Sequence, residues 1–395
     1  MKDEEEEEER HRRTTRELRD LVKSVRSGEF EYDERSKKSL DWSSYTEAQA
    51  YELADMLYTI TKLVDEATNR LPAEELEKKR GRGRPPVYSP ADIAKVMLMQ
   101  SYFGVSNRVA AGLALVFREK LRLSDTFSYK TIERGYDPSP VSEILREVFR
   151  LTNEHGNAKE TTFGVDGTGE PTSSKVNYES VRSEQRKDER EAGAWPSPSP
   201  SPRPEPSSSS SSPQRPSTAE EVATRHEFQL TVSSVGVHTK MYAGFRTTGD
   251  RSIGEFSFFP SIVSQTRINC PRMEVVLGDS LYANRVACAA VAGYGATPYF
   301  LPKSNAIFLS LGVPSWNNMT HEFVADPQRW LQEYHMRSIS ETSNSMDKAE
   351  FPEKIRRRIP HRKDAVSSLR IYVHNIRRYG YMEYLQPELL DPLRD

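Results

Sequence analysis

The chain has 395 residues, enough for two or three domains, and 29% of them are charged while only 36% are hydrophobic. This balance predicts that part of the chain does not fold into a core. No apolar run reaches the roughly 18 residues that a membrane span needs, and the two cysteines form neither a Cys-x-x-Cys motif nor a Cys/His cluster. Composition therefore argues against a membrane-spanning protein, a zinc site and a structural disulfide, and we expect a soluble cytoplasmic protein.

The N-terminal part divides into an acidic tail and a helical region. Residues 3–9 form an unbroken acidic run, so we expect residues 1–13 to be a disordered tail that repels nucleic acid. Apolar residues recur at steps of three and four from 53 to 71, which predicts an amphipathic helix within an N-terminal helical region of residues 14–80. Helix is expected from residue 14 to 72. Intramolecular packing of its apolar face is favoured over a dimer contact.

A basic segment rich in glycine and proline, KKRGRGRPP, spans residues 78–86. Its Arg-Gly-Arg-Pro core, with Arg82 and Arg84, is typical of an AT-hook, in which arginines reach the negative floor of the DNA minor groove. A basic interdomain linker is the alternative interpretation, because glycine and proline also mark ordinary linkers.

Three short helices with tight turns are predicted between residues 89 and 135. Ser89, Ser106 and Ser128 stand where N-cap hydroxyls belong, and a proline follows the first of them. This pattern is typical of a helix-turn-helix module, whose last helix would offer Lys130 and Arg134 to the major groove. We predict an all-α, helix-turn-helix-like DNA-binding domain over 81–155, with a plain helical bundle as the alternative.

Strand patterns follow, interrupted by a stretch of low complexity. Pro196–Thr218 holds ten Ser and eight Pro among 23 residues, and no apolar side chain there offsets the cost of ordering, about 1–2 kcal/mol per residue. We predict a disordered insertion over about 171–224. The predicted strands indicate a mixed α/β unit, with a helix over 284–292 before the last of them: residues 161–166, 228–232, 240–245, 275–278 and 297–301.

Residues 331–350, LQEYHMRSISETSNSMDKAE, are predicted to form one helix with a polar stripe made of Tyr334, Arg337, Glu341 and Lys348. Their offsets of three, seven and fourteen place the four side chains within about 60° of one another. Such a stripe could bind a metal ion through Glu and phosphate through Arg and Lys. A surface helix with scattered charge is the alternative. The opposite face carries apolar residues that we expect to press onto a core: Met336, Ile339 and Met346.

The spacing of the polar stripe resembles the C-terminal signature of insertion-sequence DDE transposases of the YREK group, the IS-four-like group. Two further blocks resemble the same family. The first is FGVDGT at 163–168, in which Asp166 ends a buried strand, and the second is VVLGDSLY at 275–282, which contains Asp279. The family pattern usually has a small residue where this chain has Leu281.

The resemblance extends over roughly residues 83–385 and implies a ribonuclease H-like catalytic domain over 156–385, with a mixed five-stranded sheet and helices. It also implies that Asp166, Asp279 and Glu341 are the catalytic carboxylates. From metal chemistry we expect them to hold two Mg²⁺ ions, which Mn²⁺ could replace, with Asp166 bridging both. The implied activity is Mg²⁺-dependent phosphodiester hydrolysis and strand transfer on DNA.

Further side chains are expected to contact DNA. The resemblance implies that Tyr334, Arg337 and Lys348 hold a phosphate of the transposon end. A basic cluster after the helix is predicted to bind the DNA backbone, with a solvated helical face as the alternative. Its members are Lys354, Arg356, Arg357, Arg358, Arg362 and Lys363. In the resembled group an aromatic residue between 308 and 330 can stack on a flipped base. Two residues are candidates by position, although packing is favoured for each: Trp316 and Trp330.

The implied partners are double-stranded DNA, namely the terminal inverted repeats and the target, and a second copy of the chain in the synaptic complex. No membrane partner is expected, and the protein should associate with the nucleoid. Two other functions remain open at this point. One is a catalytically inactive, transposase-derived DNA-binding regulator, and the other is a ribonuclease H-fold nuclease that does not transpose.

Overall fold

Strands between residues 162 and 300 form a mixed five-stranded sheet. The structure, a computed structural model, describes residues 2–33, 41–76, 88–175, 226–309, 312–352, 354–391 and 393. The AT-hook candidates Arg82 and Arg84 and the Ser/Pro-rich stretch lie outside the described residues. No helix among the described residues combines the length and apolarity that crossing a bilayer requires.

The sheet has the strand order β3-β2-β1-β4-β5. β1 pairs antiparallel with β2 and parallel with β4. β2 also pairs antiparallel with β3, and β4 pairs parallel with β5. The predicted strand at 275–278 is confirmed, while β1 runs beyond its predicted end, so that residues 171–175 belong to a strand and not to the predicted insertion. The bounds are β1 Thr162–Lys175, β2 His226–Gly236, β3 Tyr242–Thr248, β4 Val275–Gly278 and β5 Thr297–Phe300.

Helices cover the sheet and join its parallel strands. α8 (Phe259–Asn269) connects β3 to β4, and α9 (Arg285–Ala292), capped by Asn284, connects β4 to β5. Their apolar faces share one core with the central strands, where Phe163 and Val276 are almost completely buried. Burial of such side chains stabilises the fold by about 1.5–3 kcal/mol each. Three more helices follow: α10 (Pro314–Ala325), α11 (Pro327–Tyr334) and α12 (Ser338–Glu350).

A second core joins the helices that precede the sheet to the last helix of the chain. The predicted caps at Ser89 and Ser106 are confirmed, since their hydroxyls accept from Ala91 N and Val109 N. Ser128 also occupies an N-cap position, but its side chain makes no capping hydrogen bond. The helices are α2 (Trp42–Arg70), α3 (Ala73–Leu76), α4 (Pro90–Phe103), α5 (Asn107–Val116), α6 (Tyr129–Gly135), α7 (Pro140–Gly156) and α13 (Pro360–Leu385).

The N-terminus differs from its prediction. The structure has a helix, α1 (Lys2–Ser27), where we expected a disordered tail over residues 1–13; glutamate is a good helix former, which is the physical reason. The single helix expected from 14 to 72 is two helices, because Gly28 adopts a φ of 76° after the first. Leu18 and Val22 of α1 are fully buried in the core around the sheet, whereas α2 packs in the helical core.

Candidate functional site

The pairing of β1 with β4 brings two of the predicted acidic residues side by side. In this parallel ladder Gly164 lies opposite Leu277 and Val165 lies opposite Gly278. Asp166 is the next residue on β1, and Asp279 comes directly after the end of β4. They therefore lie at one edge of the sheet, although 113 residues separate them in sequence.

The segment that carries the polar stripe is not the single helix that we predicted. α11 ends at Tyr334, a 3-10 turn covers His335–Arg337, and α12 begins at Ser338. The expected apolar face is also wrong, because the buried residues of α12 are Ser340, Ser343 and Asn344. The residues that we expected to press onto a core are only partly buried: Met336, Ile339 and Met346.

Close packing against β1 explains why small residues face the sheet. A Cβ atom built on Gly164 would lie 3.5 Å from the carbonyl oxygen of Arg337 and 3.5 Å from the Ser340 hydroxyl. Such a distance leaves no space for a larger apolar side chain between helix and strand. This approach also carries Glu341, one residue beyond Ser340, to the edge of the sheet where Asp166 lies.

Substitution at Gly164 tests this packing. Gly164→Val is expected to reduce the free energy of unfolding by about 1–3 kcal/mol, because its methyl groups would overpack the contact with α12. Gly164→Ala is the matched control and is expected to change stability by less than about 1 kcal/mol, since its Cβ fits at van der Waals distance. Urea unfolding of both variants measures the difference, and equal losses would contradict the packing described here.

Asp166 lies among like charges. The pKa of its carboxyl is raised to about 6, mainly by burial and also by the negative charges of Glu255, Glu341 and Asp279, while the backbone N–H of Gly167 opposes the rise. The structure thus brings the three predicted carboxylates close enough to interact electrostatically. Carboxylates this close repel one another unless a cation neutralises them. Such groups of like charge with a shifted pKa are typical of functional sites.

Glu255 is a fourth acidic residue that the sequence analysis did not identify. It begins a 3-10 turn between β3 and α8, and its Oε1 accepts a hydrogen bond of 2.5 Å from the Tyr282 hydroxyl. A Cβ atom on Gly167 would lie 2.5 Å from the Glu255 carboxyl carbon, so the glycine after Asp166 makes room for this carboxylate. Tyr282 lies in the second block, but no motif surrounds Glu255, and no sequence signal could have found it.

A buried hydrogen-bond network extends from Asp166 to the last helix. Asn344 Nδ2 donates to Asp166 Oδ2 at 3.1 Å, and the Tyr242 hydroxyl lies 3.4 Å from Asn344 Oδ1 and donates to Asp347 Oδ2 at 2.7 Å. Asp347 Oδ1 lies 2.6 Å from His374 Nδ1. The network links β1, β3, α12 and α13. Sequence reasoning missed it because its members are distant in the chain.

Three residues of the polar stripe are in contact in sequence order: Tyr334 with Arg337, and Arg337 with Glu341. Tyr334 is buried, and its ring stacks on Trp330 at 5.3 Å. The Arg337 guanidinium lies 5.4 Å from the Tyr334 ring and donates to Glu341 Oε1 at 2.9 Å. Arg337 Nε is buried and finds no acceptor among the described residues. Lys348 is exposed and lines a cavity of about 230 Å³ beside Asn344.

Both candidate tryptophans are packing residues. Trp316 is 5% exposed and its Nε1 donates to the carbonyl of Ile307, while Trp330 is 3% exposed and lies 4.5 Å from the ring of Phe323. Neither indole is available to a DNA base in this structure. The packing interpretation, which the sequence favoured, is the one that the structure supports.

The predicted basic residues fall into two groups. Lys130, Arg134, Arg356 and Arg358 are exposed. Arg357 is half-buried and lies 4.2 Å from the ring of Tyr136. Other cations of the same C-terminal segment are neutralised within the fold, Arg362 by Asp137 and Glu133, and Lys363 by Glu227. Part of the predicted phosphate-binding cluster is therefore structural.

The acidic residues are not arranged as a complete set of metal ligands. In the part of the chain that the structure describes, no group of three or more His, Cys, Asp or Glu side chains is arranged to hold a metal ion. Glu341 is instead paired with Arg337. The donor chemistry nevertheless fits a hard divalent cation, because all four neighbouring groups are carboxylates and Asp166 is both buried and surrounded by like charge.

The chain has a distant similarity to a known protein. No protein-family model matches the chain. The chain is similar to a probable transposase for insertion sequence element ISA1214 from Archaeoglobus fulgidus, with 25% identity over 238 residues, which is 60% of this chain and 59% of that protein. The match thus spans less than two thirds of the relative's length.

Proposed function

We propose that the protein is a DDE transposase of the YREK group, with a ribonuclease H-like catalytic domain that cleaves and rejoins DNA at the ends of its own element. The observation that carries this proposal is the meeting of Asp166, Asp279 and Glu341 at one sheet edge, where Asp279 and Glu341 both act on the pKa of Asp166. The mixed sheet, with its order β3-β2-β1-β4-β5, is compatible with that domain. Similarity to the Archaeoglobus fulgidus protein adds support.

The three carboxylates would hold Mg²⁺, with Asp166 in the central position. When bound, the metal would supply an activated oxygen nucleophile and stabilise the charge that develops on the phosphate. Asn344 holds one oxygen of Asp166 by hydrogen bonding and so fixes the orientation of that carboxylate. Tyr282 does the same for Glu255. These contacts prepare the site before DNA arrives.

Arg337 and Lys348 are proposed to bind a phosphate of the cleaved strand. The Arg337 side chain is partly exposed and its Nη1 lies beside Glu341, so a phosphate that binds at the carboxylate site would be within reach of the guanidinium. Tyr334 orients this guanidinium with its ring. We further propose that Lys130, Arg134 and Arg356 contact the DNA backbone, and that two copies of the chain act together when two transposon ends are joined.

A plasmid cleavage assay tests the proposed function. A supercoiled plasmid carrying the gene with its flanking DNA is incubated with the protein and Mg²⁺, and the cut sites are mapped. We expect cleavage at the inverted repeats, no cleavage of the same plasmid without them, and no cleavage when EDTA removes the metal. Equal cleavage of both plasmids would favour a nuclease, and binding without any cleavage would favour a regulator.

A further inference from the structure

A basic cavity of about 440 Å³ lies between helices α4, α5 and α6 and the segment that follows α12. The end of α4, the first turn of α5 and both Tyr129 and Tyr136 form one side, and Phe351, Pro352 and residues 354–357 form the other. None of the described lining residues is acidic. Five of them are lysine or arginine: Arg108, Lys354, Arg356, Arg357 and Arg370.

Three of these cations lack a neutralising partner among the described residues: Arg108, Lys354 and Arg356. Two arginines of α13, by contrast, are paired with glutamates. Arg370 lies 2.5 Å from Glu170, and Arg377 lies 2.9 Å from Glu52. Unpaired cations around a concave wall concentrate positive potential, which favours a bound anion.

The wall of the cavity is held in place by buried contacts. Arg357 lies over the ring of Tyr136, and its Nη2 donates to Asn107 Oδ1 at 2.7 Å. Gln100 donates to the same oxygen at 2.8 Å and accepts from the Tyr136 hydroxyl at 3.0 Å. A site that is ordered before binding loses little conformational entropy when its ligand arrives. Arg357 thus supports the wall, while the three unpaired cations remain available.

The cavity also lies next to the carboxylate site. Phe351, Pro352 and Arg370 line both this cavity and the smaller one that reaches Asn344 and Lys348. The backbone of the connecting segment is tied to β1, because Ile355 N donates to the carbonyl of Pro171 at 2.9 Å. A strand that leaves the carboxylate site past Lys348 would therefore meet the basic cavity next.

We propose that this cavity binds phosphodiester groups of a DNA strand that extends from the carboxylate site, through Arg108, Lys354 and Arg356. The first turn of α5, with Ser106 and Asn107 in the wall, adds backbone N–H groups of favourable polarity. The proposal rests on the proposed function for the identity of the polyanion. It adds Arg108 of α5 to the predicted basic cluster and places Lys354 and Arg356 of that cluster in one site with it.

The salt dependence of DNA binding tests this site. A fluorescent 30-base-pair duplex is titrated with the full chain and with the triple variant Arg108→Gln, Lys354→Gln, Arg356→Gln. A matched triple variant, Arg16→Gln, Lys23→Gln, Arg272→Gln, removes three exposed cations elsewhere. We expect the slope of log affinity against log salt to fall in magnitude by about 2 to 3 in the cavity variant only, since each lost phosphate contact removes about 0.9. Thermal melting establishes that both variants fold.

The outcomes separate this inference from the proposed function. An unchanged slope in the folded cavity variant, with DNA still bound, overturns the cavity site and leaves the transposase proposal standing. Failure of the unsubstituted chain to bind DNA at all overturns both. Competition with inorganic phosphate at constant ionic strength is the second arm. If free phosphate displaces DNA from the unsubstituted chain but much less from the cavity variant, phosphate and DNA compete for the cavity, as the inference expects. Equal displacement from both chains would contradict it.

Discussion

Asp166→Asn is expected to reduce DNA cleavage by roughly 10³-fold or more, because it removes the negative charge at the centre of the carboxylate site while keeping the shape of the side chain. DNA binding should persist, since none of the proposed DNA-binding cations is altered. Plasmid nicking rates and duplex binding, measured side by side, check both expectations.

The same substitution is expected to stabilise the fold at pH 8. Burial and three neighbouring carboxylates raise the pKa of Asp166 to about 6, above its usual value of 3.8, so ionisation of this group costs stability as pH rises through that range. Asparagine mimics the neutral form. Asp20→Asn, an exposed acid on α1, is the control and should change neither property. A variant that loses cleavage only because it unfolds would contradict the assignment.

His374→Ala is expected to lower the free energy of unfolding by about 3 kcal/mol at pH 6, because it leaves Asp347 without its buried cationic partner. His374 is 2% exposed, and both ring nitrogens face acceptors: Nδ1 faces Asp347 and Nε2 lies 2.8 Å from the carbonyl of Lys240. Only the imidazolium donates to both. Equilibrium urea unfolding measures the loss, and His321→Ala, at an exposed histidine, should show little change.

The stabilising effect of His374 should also depend on pH. Burial alone would lower the pKa of this imidazole, but Asp347 outweighs burial and raises it above 6.5. The stabilisation is therefore fully present below pH 6.5 and is lost as pH rises through the higher folded-state pKa. The difference in unfolding free energy between the unsubstituted chain and His374→Ala should shrink from pH 6 to pH 9. A constant difference would show that charge on His374 contributes nothing.

Local sequence signals predicted much of the fold. The run Val275–Gly278 is a strand with the predicted bounds, and Ser89 and Ser106 cap their helices through their own hydroxyls, because capping and buried strands depend on residues within a few positions. The break between α11 and α12 was not predictable in this way. Helical spacing continues through His335–Arg337, and the 3-10 turn there accompanies the packing of Arg337 and Ser340 against Gly164.

The candidate site, like the fold, was only partly predictable from local sequence. Asp166, Asp279 and Glu341 could be selected because each lies in a recognisable block. Their neighbours could not, since Asn344 is 178 residues from Asp166 and the amide pairs with it only across the fold. The prediction that apolar residues lie opposite the polar stripe was wrong for a physical reason. Helical periodicity identifies which residues share a face, but the close approach of α12 to β1 decides which side chains fit between them.

Binding of Mn²⁺ to the free protein, followed by electron paramagnetic resonance, tests most directly whether the three carboxylates form one centre. The account predicts that Asp166→Asn, Asp279→Asn and Glu341→Gln each weaken Mn²⁺ binding by roughly tenfold or more, while Asp20→Asn leaves it unchanged. Mn²⁺ affinity that is the same in all three variants as in the unsubstituted chain would contradict the shared site.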